Sequence, residues 1–550
     1  MGFARCCSVA LVGVDGVVIE VQADLEPGVP AFSIVGLPDK ALNESRDRVR
    51  AAVVNSGEKW PQKRLTIGLS PASVPKSGSG FDLAVAAAIL AAEERIPAAG
   101  LAGVLLIGEL GLDGRARPVR GVLPSVLAAA DAGYRRVVVP EATAAEAALV
   151  PGVEVRGVRS LRELVALLGG EPPAEDPSGG RKPIPEEGPD EAAGGGPRDP
   201  LLAGLMLPGA GIDARGPEAG RRLDLAEVAG QHQARKALEI AAAGGHHLLL
   251  KGPPGAGKTM LAERLPGLLP PLEPHEALEV TAVHSVAGLL PTGQPLLERP
   301  PYCAPHHSTT MAAVVGGGSG LPRPGAVSLA HRGVLFLDEA PEFSMRVLDS
   351  LRQPLESGRI VVARAHGSLT LPARFLLVLA ANPCPCGRFS LRGGGCECPP
   401  RQRERYFARL SGPLLDRVDL QVEVAGVSRV ELLEQQEECE SSETVAARVR
   451  QARKRAAARY AETPWRLNAE VPGHELRTRW PVASGALGPA ERDMERGLLT
   501  ARGLDRVLRV AWTIADLHAD DRPGPDHIRL ALAYRTGTNR GTRHPRGGLL

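Results

Sequence analysis

Aromatic side chains make up only 3% of the sequence, which argues against a surface that grips nucleic acid by stacking bases on rings. No apolar run approaches the roughly 20 residues needed to cross a bilayer. The N-terminal stretch MGFARCCSVALVGVDGVVIE is broken by Asp15 before a signal-peptide pattern develops. No membrane partner is therefore expected, and the cytoplasm is the expected compartment. Net charge is only +2, so any case for nucleic-acid binding has to be local. Cysteine is sparse, with eight residues in all, and in that compartment thiols stay reduced. Yet Cys384, Cys386, Cys396 and Cys398 fall within fifteen residues of one another. Clustering of that kind in a reducing environment suggests a metal more than a disulfide.

The 550 residues are too many for one core and predict about two to four domains. Residues 1–168 alternate short β-like runs (Val17–Val21, Leu65–Leu69, Val104–Ile107, Arg136–Val139) with Ala-rich helical stretches, an α/β pattern. Residues 169–220 are rich in Gly, Pro and acid, bury too little apolar surface to fold, and read as a flexible linker. A second α/β pattern occupies 221–425. A mostly helical part follows over 426–550, with Ser442–Tyr460 and Asp505–Leu517 as its clearest helices.

The chemistry concentrates in the second α/β region. HHLLLKGPPGAGKTMLAERL holds G-x-x-x-x-G-K-T between an apolar strand and an amphipathic helix, the context a phosphate-binding loop requires. Gly252, Pro253, Pro254, Gly255, Ala256, Gly257, Lys258, Thr259 and Met260 are the expected ATP contacts. Backbone N–H groups would cradle the phosphates, Lys258 would add a point charge, and Thr259 would offer its hydroxyl to Mg²⁺. GVLFLDEAPEF reads as a buried strand ending in Asp338 and Glu339, where ligands bind in parallel sheets. Asp338 would hold Mg²⁺ through water and Glu339 would polarise the attacking water. The next strand, RFLLVLAANPCPCG, ends in Asn382, placed to touch the γ-phosphate or that water.

The order of these motifs, followed by LSGPLLDRVDL, resembles an AAA+ ATPase. More narrowly the chain resembles the magnesium-chelatase-like YifB/ComM family, through FSIVGLPDKALNESRDRVRAAVVNSG, APHHSTT, RPGAVSLAHRGVLFLDE, NPCPCG and TARGLDRVLRVAWTIADL. The resemblance covers nearly the whole chain. It implies an AAA+ P-loop core, a C-terminal helical lid and a homohexameric ring, and ComM-type members act as branch-migration helicases in natural transformation. It also makes Arg417 the residue that reaches a neighbouring subunit's nucleotide and stabilises charge on the transferred phosphoryl group. Arg509 is the candidate second sensor, with Arg506 competing on the same helix face.

DNA contacts are expected from two places. In this clade an insert between the two nucleotide motifs projects into the ring, which would make His306, His307 and Gly316–Gly318 a pore loop; turn or interface residues are the equal alternative. In Ser357–Phe375, Val361, Ala363 and Ala365 alternate with Arg359, Arg364 and His366, suggesting a hairpin turning at His366–Gly367. Arg364 and His366 near its tip would meet phosphates. The basic run RVRQARKRAAARY reads as a solvated helix face.

Four thiolates on one Gly-rich loop could close a tetrahedral Zn²⁺ site, although C-x-C is less specific than C-x-x-C. The family resemblance implies cysteines here too; reduced thiols packing a loop remain the alternative. Finally, LSPASVPKSGSGFDLAVAAAIL with GELGLDGRARPVRGVLPSVLAAA resembles a Lon-protease-like domain of ribosomal-protein-S5 type. Gly80 and Pro124 stand where a Ser nucleophile and its Lys would be, with Lys76, Ser77 and Ser79 off register, so proteolysis is not expected. The reading is an ATP-driven motor on DNA; a remodeller of a protein or cofactor is the alternative.

Overall fold

A computed structural model describes residues 2–37, 39–76, 78–171, 223–291, 293–317, 323–364, 367–389, 395–426 and 439–537. Most of the expected linker lies outside these residues, as do Gly318, the hairpin-tip residues Ala365 and His366, and parts of the C-terminal region (427–438 and 538–550).

The N-terminal region is built on a seven-stranded sheet. Its strands are β1 (Gly2–Val12), β2 (Asp15–Glu26), β3 (Ala31–Val35), β4 (Arg64–Ser70), β5 (Val104–Leu106), β6 (Arg136–Pro140) and β7 (Glu154–Val158), in the order β3-β4-β2-β1-β5-β6-β7. In β2 the residues Ile19, Val21, Ala23 and Leu25 are buried at every second position, the signature of a half-buried strand. The helix Asp82–Ala92 is apolar nearly all round and is correspondingly enclosed. Its one charge, Asp82, is clamped by Arg48 and the Leu110 N–H, and burial pushes its carboxyl up to about 6.

The second sheet has five strands, all parallel: β8 (Leu248–Lys251), β9 (Tyr302–Cys303), β10 (Val334–Leu337), β11 (Leu376–Ala381) and β12 (Leu420–Glu423), ordered β9-β10-β11-β8-β12. β10 and β11 are fully buried, as continuous apolar runs in a covered parallel sheet should be. This order puts the phosphate-loop strand β8 directly beside β11, so the ends of those two strands must meet.

Three sequence expectations need correction. In the hairpin Arg359–Arg364 with Gly367–Pro372, Arg364 pairs with Gly367, so Gly367 belongs to the second strand rather than to the turn; His366, the other expected turn residue, lies outside the described residues. The hairpin's inward face carries Ile360 and Val362 opposite Leu371 and Leu369, while Val361 is 45% exposed. The larger aliphatic pairs take the core, and a one-residue shift in parity reverses every side chain. The basic helix Ser442–Arg459 is a solvated face only in part: Arg450, Lys454 and Arg455 are exposed, but arginines of the run, Arg455 among them, are engaged. Arg448 binds Glu239 and Glu440, Arg453 donates to Ala242 O, Arg455 donates to Asp516 O, and Arg459 is paired with Asp516. These guanidiniums tie the helix to His232–Gly244 through Arg448 and Arg453 and to Ala501–His518 through Arg455 and Arg459. The long helix Ala501–His518 starts four residues before the expected Asp505 because Thr500 caps it, accepting from Gly503 N.

The two sheets are joined through the helix Pro274–Ala287. Ala282 packs with Leu123 and Val126, and Ser285 Oγ donates to Glu146 Oε1 at 2.5 Å. No helix among the described residues is long and apolar enough to cross a membrane.

Candidate nucleotide site and cysteine cluster

The phosphate loop leaves β8 and enters the helix Lys258–Arg264 through Gly257, whose φ of +90° places it in the left-handed region. A side chain there would be strained, and none would be tolerated so near a phosphate. Lys258 is 7% exposed, and its Nζ donates to Gly252 O at 2.7 Å, Pro253 O at 2.9 Å and Asn382 Oδ1 at 3.0 Å. All three ammonium protons thus have partners, two in the loop itself and one at the end of β11. Burial lowers its pKa, against the opposing pull of Asp338 and Glu339.

Thr259 Oγ1 donates to Asp338 Oδ2 at 2.8 Å. Neighbouring oxygens on an octahedral Mg²⁺ at about 2.1 Å lie about 3 Å apart, close to this spacing. The pair therefore fits the ion, which when bound would neutralise phosphate charge. Glu339 follows with φ +48°, unusual for a residue with a side chain. Such strain persists only where the surroundings impose it, and it commonly marks functional positions. Asp338 Oδ1 accepts from the Glu339 N–H at 2.8 Å, fixing that turn.

The sequence reading missed the next contact. His307 Nδ1 lies 3.5 Å from Glu339 Oε2, and its ring lies against that of His306. His306 itself closes a turn onto Ser308. No local pattern signals it: the contact arises because β9 runs parallel to β10, Tyr302 opposite Val334, so residues just past Cys303 emerge at the same sheet end as Asp338. Gly316 and Gly317 are buried and paired with Pro324 and Arg323.

Arg417 is ion-paired with Glu356 and donates to Pro413 O at 2.5 Å, while its buried Nε has no partner among the described residues. Arg506 donates to Asp419 Oδ1 at 2.5 Å, and Arg509 donates to Val471 O at 2.7 Å. Asp419 also meets His246 Nδ1 at 3.1 Å, whose other nitrogen faces Thr513 Oγ1 at 2.7 Å. Asp419 is fully enclosed. Burial opposes its charge, but Arg506 and His246 outweigh burial and hold the carboxyl far below its ordinary range.

The four clustered cysteines converge. Their sulfurs all lie within 4.8 Å of one another, with Cys384 to Cys386 at 3.3 Å, Cys384 to Cys396 at 3.7 Å and Cys386 to Cys396 at 3.7 Å. Four thiolates at about 2.3 Å from Zn²⁺ stand about 3.8 Å apart along the tetrahedron's edges. The donor set fits that ion. The Arg388 N–H, then Cys384, push the Cys386 thiol down to about 6, while burial raises Cys384. In the N-terminal region Ser79 Oγ donates to Glu109 and Lys76 Nζ to Pro71 O, so the two groups do not form a nucleophile pair.

Comparison with known proteins matches three sequence families: "Subunit ChlI of Mg-chelatase" over residues 21–143, "Magnesium chelatase, subunit ChlI" over 224–432, and "Magnesium chelatase, subunit ChlI C-terminal" over 439–535. The uncharacterized protein Rv2897c of Mycobacterium tuberculosis is 50% identical over 545 residues, covering 98% of this chain and all of that one. YifB of Escherichia coli is 40% identical over 526 residues, 96% of each chain. The competence protein ComM of Haemophilus influenzae is 38% identical over 535 residues, 97% of this chain and 98% of that one. Lon protease 2 of Bacillus subtilis is 31% identical over 106 residues, 19% of each chain. With the phosphate loop, the acidic strand end and similarity running the full length of YifB and ComM, the chain belongs to the magnesium-chelatase-like YifB/ComM family of AAA+ proteins, a family that implies ATP and Mg²⁺ as ligands.

Proposed function

We propose that the chain is an ATP-hydrolysing motor of the cytoplasm that assembles as a homohexameric ring and moves branched or single-stranded DNA. The observation that carries the ATPase reading is the joined pair Lys258–Asn382 and Thr259–Asp338, which brings the ends of three parallel strands together around the phosphate loop. Asp338 with Thr259 holds Mg²⁺, Glu339 orients the attacking water, and Asn382 reports the γ-phosphate.

Two features support DNA as the substrate. The hairpin Arg359–Pro372 directly follows the helix Arg352–Ser357, and Glu356 of that helix holds Arg417. A change at a neighbour's nucleotide felt by Arg417 would thereby be passed to the hairpin. The second is the full-length similarity to a protein named for competence. The N-terminal region, whose motifs resemble a Lon-type domain, serves as a binding or ring-organising module. The four thiolates hold one Zn²⁺.

A second reading, a remodeller of a protein or metallo-cofactor, is favoured by the chelatase names of all three matched families. The ATPase rate without DNA, with single-stranded DNA and with a synthetic three-way junction separates the two. DNA stimulation with junction resolution, both abolished by Lys258→Ala, is expected. Hydrolysis indifferent to every DNA would shift the assignment to the remodeller.

A further inference from the structure

The cysteine turn leaves β11 two residues after Asn382, the residue that accepts from Lys258. Within it Gly387 N donates to Cys384 O at 2.9 Å, and Gly387 adopts a φ of +74°. A Cβ at Gly387 would meet Pro254 Cγ at 2.4 Å and Cδ at 2.5 Å. The turn is therefore seated directly on the phosphate loop. Gly255 and Gly257, farther along that loop, have no atom of the described residues beyond their chain neighbours within 4 Å of where a Cβ would stand. At these positions the loop is open.

Resting on the zinc reading above, we infer that the Cys384, Cys386, Cys396 and Cys398 site sets the affinity of the phosphate loop for nucleotide, with Gly387 bracing Pro254. The four sulfurs come from two separate parts of the loop, and a single Zn²⁺ bound to all of them would tie those parts to one point. Zn²⁺ holds Cys384 and Cys386 in one tight turn, and the turn holds Gly387 against the proline. Without the ion the turn loosens, and the loop spends less time with its N–H groups converged on a phosphate. If the unbraced loop is competent about a tenth of the time, apparent nucleotide affinity falls about tenfold.

The test uses the full-length protein in Mg²⁺, with zinc per chain measured by elemental analysis and nucleotide affinity measured by titration with a fluorescent ADP. TPEN, which takes Zn²⁺ and spares Mg²⁺, is expected to remove about one Zn²⁺ per chain and to weaken ADP about tenfold, with recovery on adding Zn²⁺ back. Gly387→Ala is expected to keep its zinc and yet lose a similar factor, because the added methyl meets Pro254. Cys396→Ser with Cys398→Ser should lose both zinc and affinity; should that variant fail to fold, the chelation series still decides. A protein that neither contains nor takes up zinc overturns the reading on which this inference rests. Zinc removed at unchanged affinity, or Gly387→Ala binding ADP as the wild type does, overturns the coupling and leaves the zinc site standing.

Discussion

Replacing Asn382 with alanine should separate binding from hydrolysis. Lys258 holds three acceptors, and Asn382 Oδ1 at 3.0 Å is the one supplied from another strand. To reach a phosphate the ammonium has to leave some of them. A hydrogen bond to a charged group is worth about 1.5–3 kcal/mol, and the lower figure applies because two carbonyls remain. Losing it raises the energy of the retracted lysine by about 1.5 kcal/mol, so ADP should bind roughly tenfold more tightly to Asn382→Ala. ADP is the right probe because it lacks the γ-phosphate that Asn382 itself is proposed to touch. Turnover should move the other way, with kcat falling about a hundredfold once the polar group aimed at the reacting phosphoryl is gone. Fluorescent ADP titration and phosphate release measure the two. Unchanged or weaker ADP binding would refute the competition for Lys258, and an unchanged kcat would reduce Asn382 to a turn residue.

Three further outcomes follow from the same geometry. His307→Ala should release Glu339 and raise DNA-independent hydrolysis about twofold, the scale of a half-exposed pair, without altering ADP affinity; a lower rate would mean that His307 positions the carboxylate. Arg417→Ala should bind nucleotide normally but lose about a thousandfold in kcat. Mixing it with Lys258→Ala subunits should restore some turnover if the arginine acts on a neighbour's nucleotide, and no recovery in mixed rings would argue against action across subunits. Asp419→Asn leaves the partly buried Arg506 with a neutral partner and should cost about 3 kcal/mol in urea unfolding, the low end for breaking a buried pair. The wild-type carboxyl is depressed in the folded chain and titrates near 3.9 when unfolded, so its contribution is complete above about pH 4 and is lost as pH falls below that. Stability curves of the wild type and Asp419→Asn should therefore converge on acidification; parallel curves would contradict the assignment.

What could be read from the one-dimensional chain was whatever has a local period or a local spacing. The phosphate loop needs eight consecutive positions, an apolar run of four announces a buried parallel strand, and acid or amide at its end announces a ligand-facing residue. The helices Ser442–Arg459 and Ala501–His518 were legible from their patterning for the same reason. Pairing across the sheet was not legible. That β11 lies between β8 and β10 is decided by packing of whole strands, and only this order sets Asn382 on Lys258 and His307 beside Glu339. The hairpin shows the limit most sharply. Its existence followed from composition, but which parity faces the core was settled by Ile360, Val362, Leu369 and Leu371 finding apolar neighbours far away in sequence. The arginines of the basic helix could not be told from a solvated face, since Glu239 and Asp516 are distant in the chain. Cysteine spacing by itself permitted a metal site, while the seating of Gly387 on Pro254 belongs to the tertiary structure alone. Residue types and spacings determine which reactions a site can support; only long-range packing decides which of those residues touch.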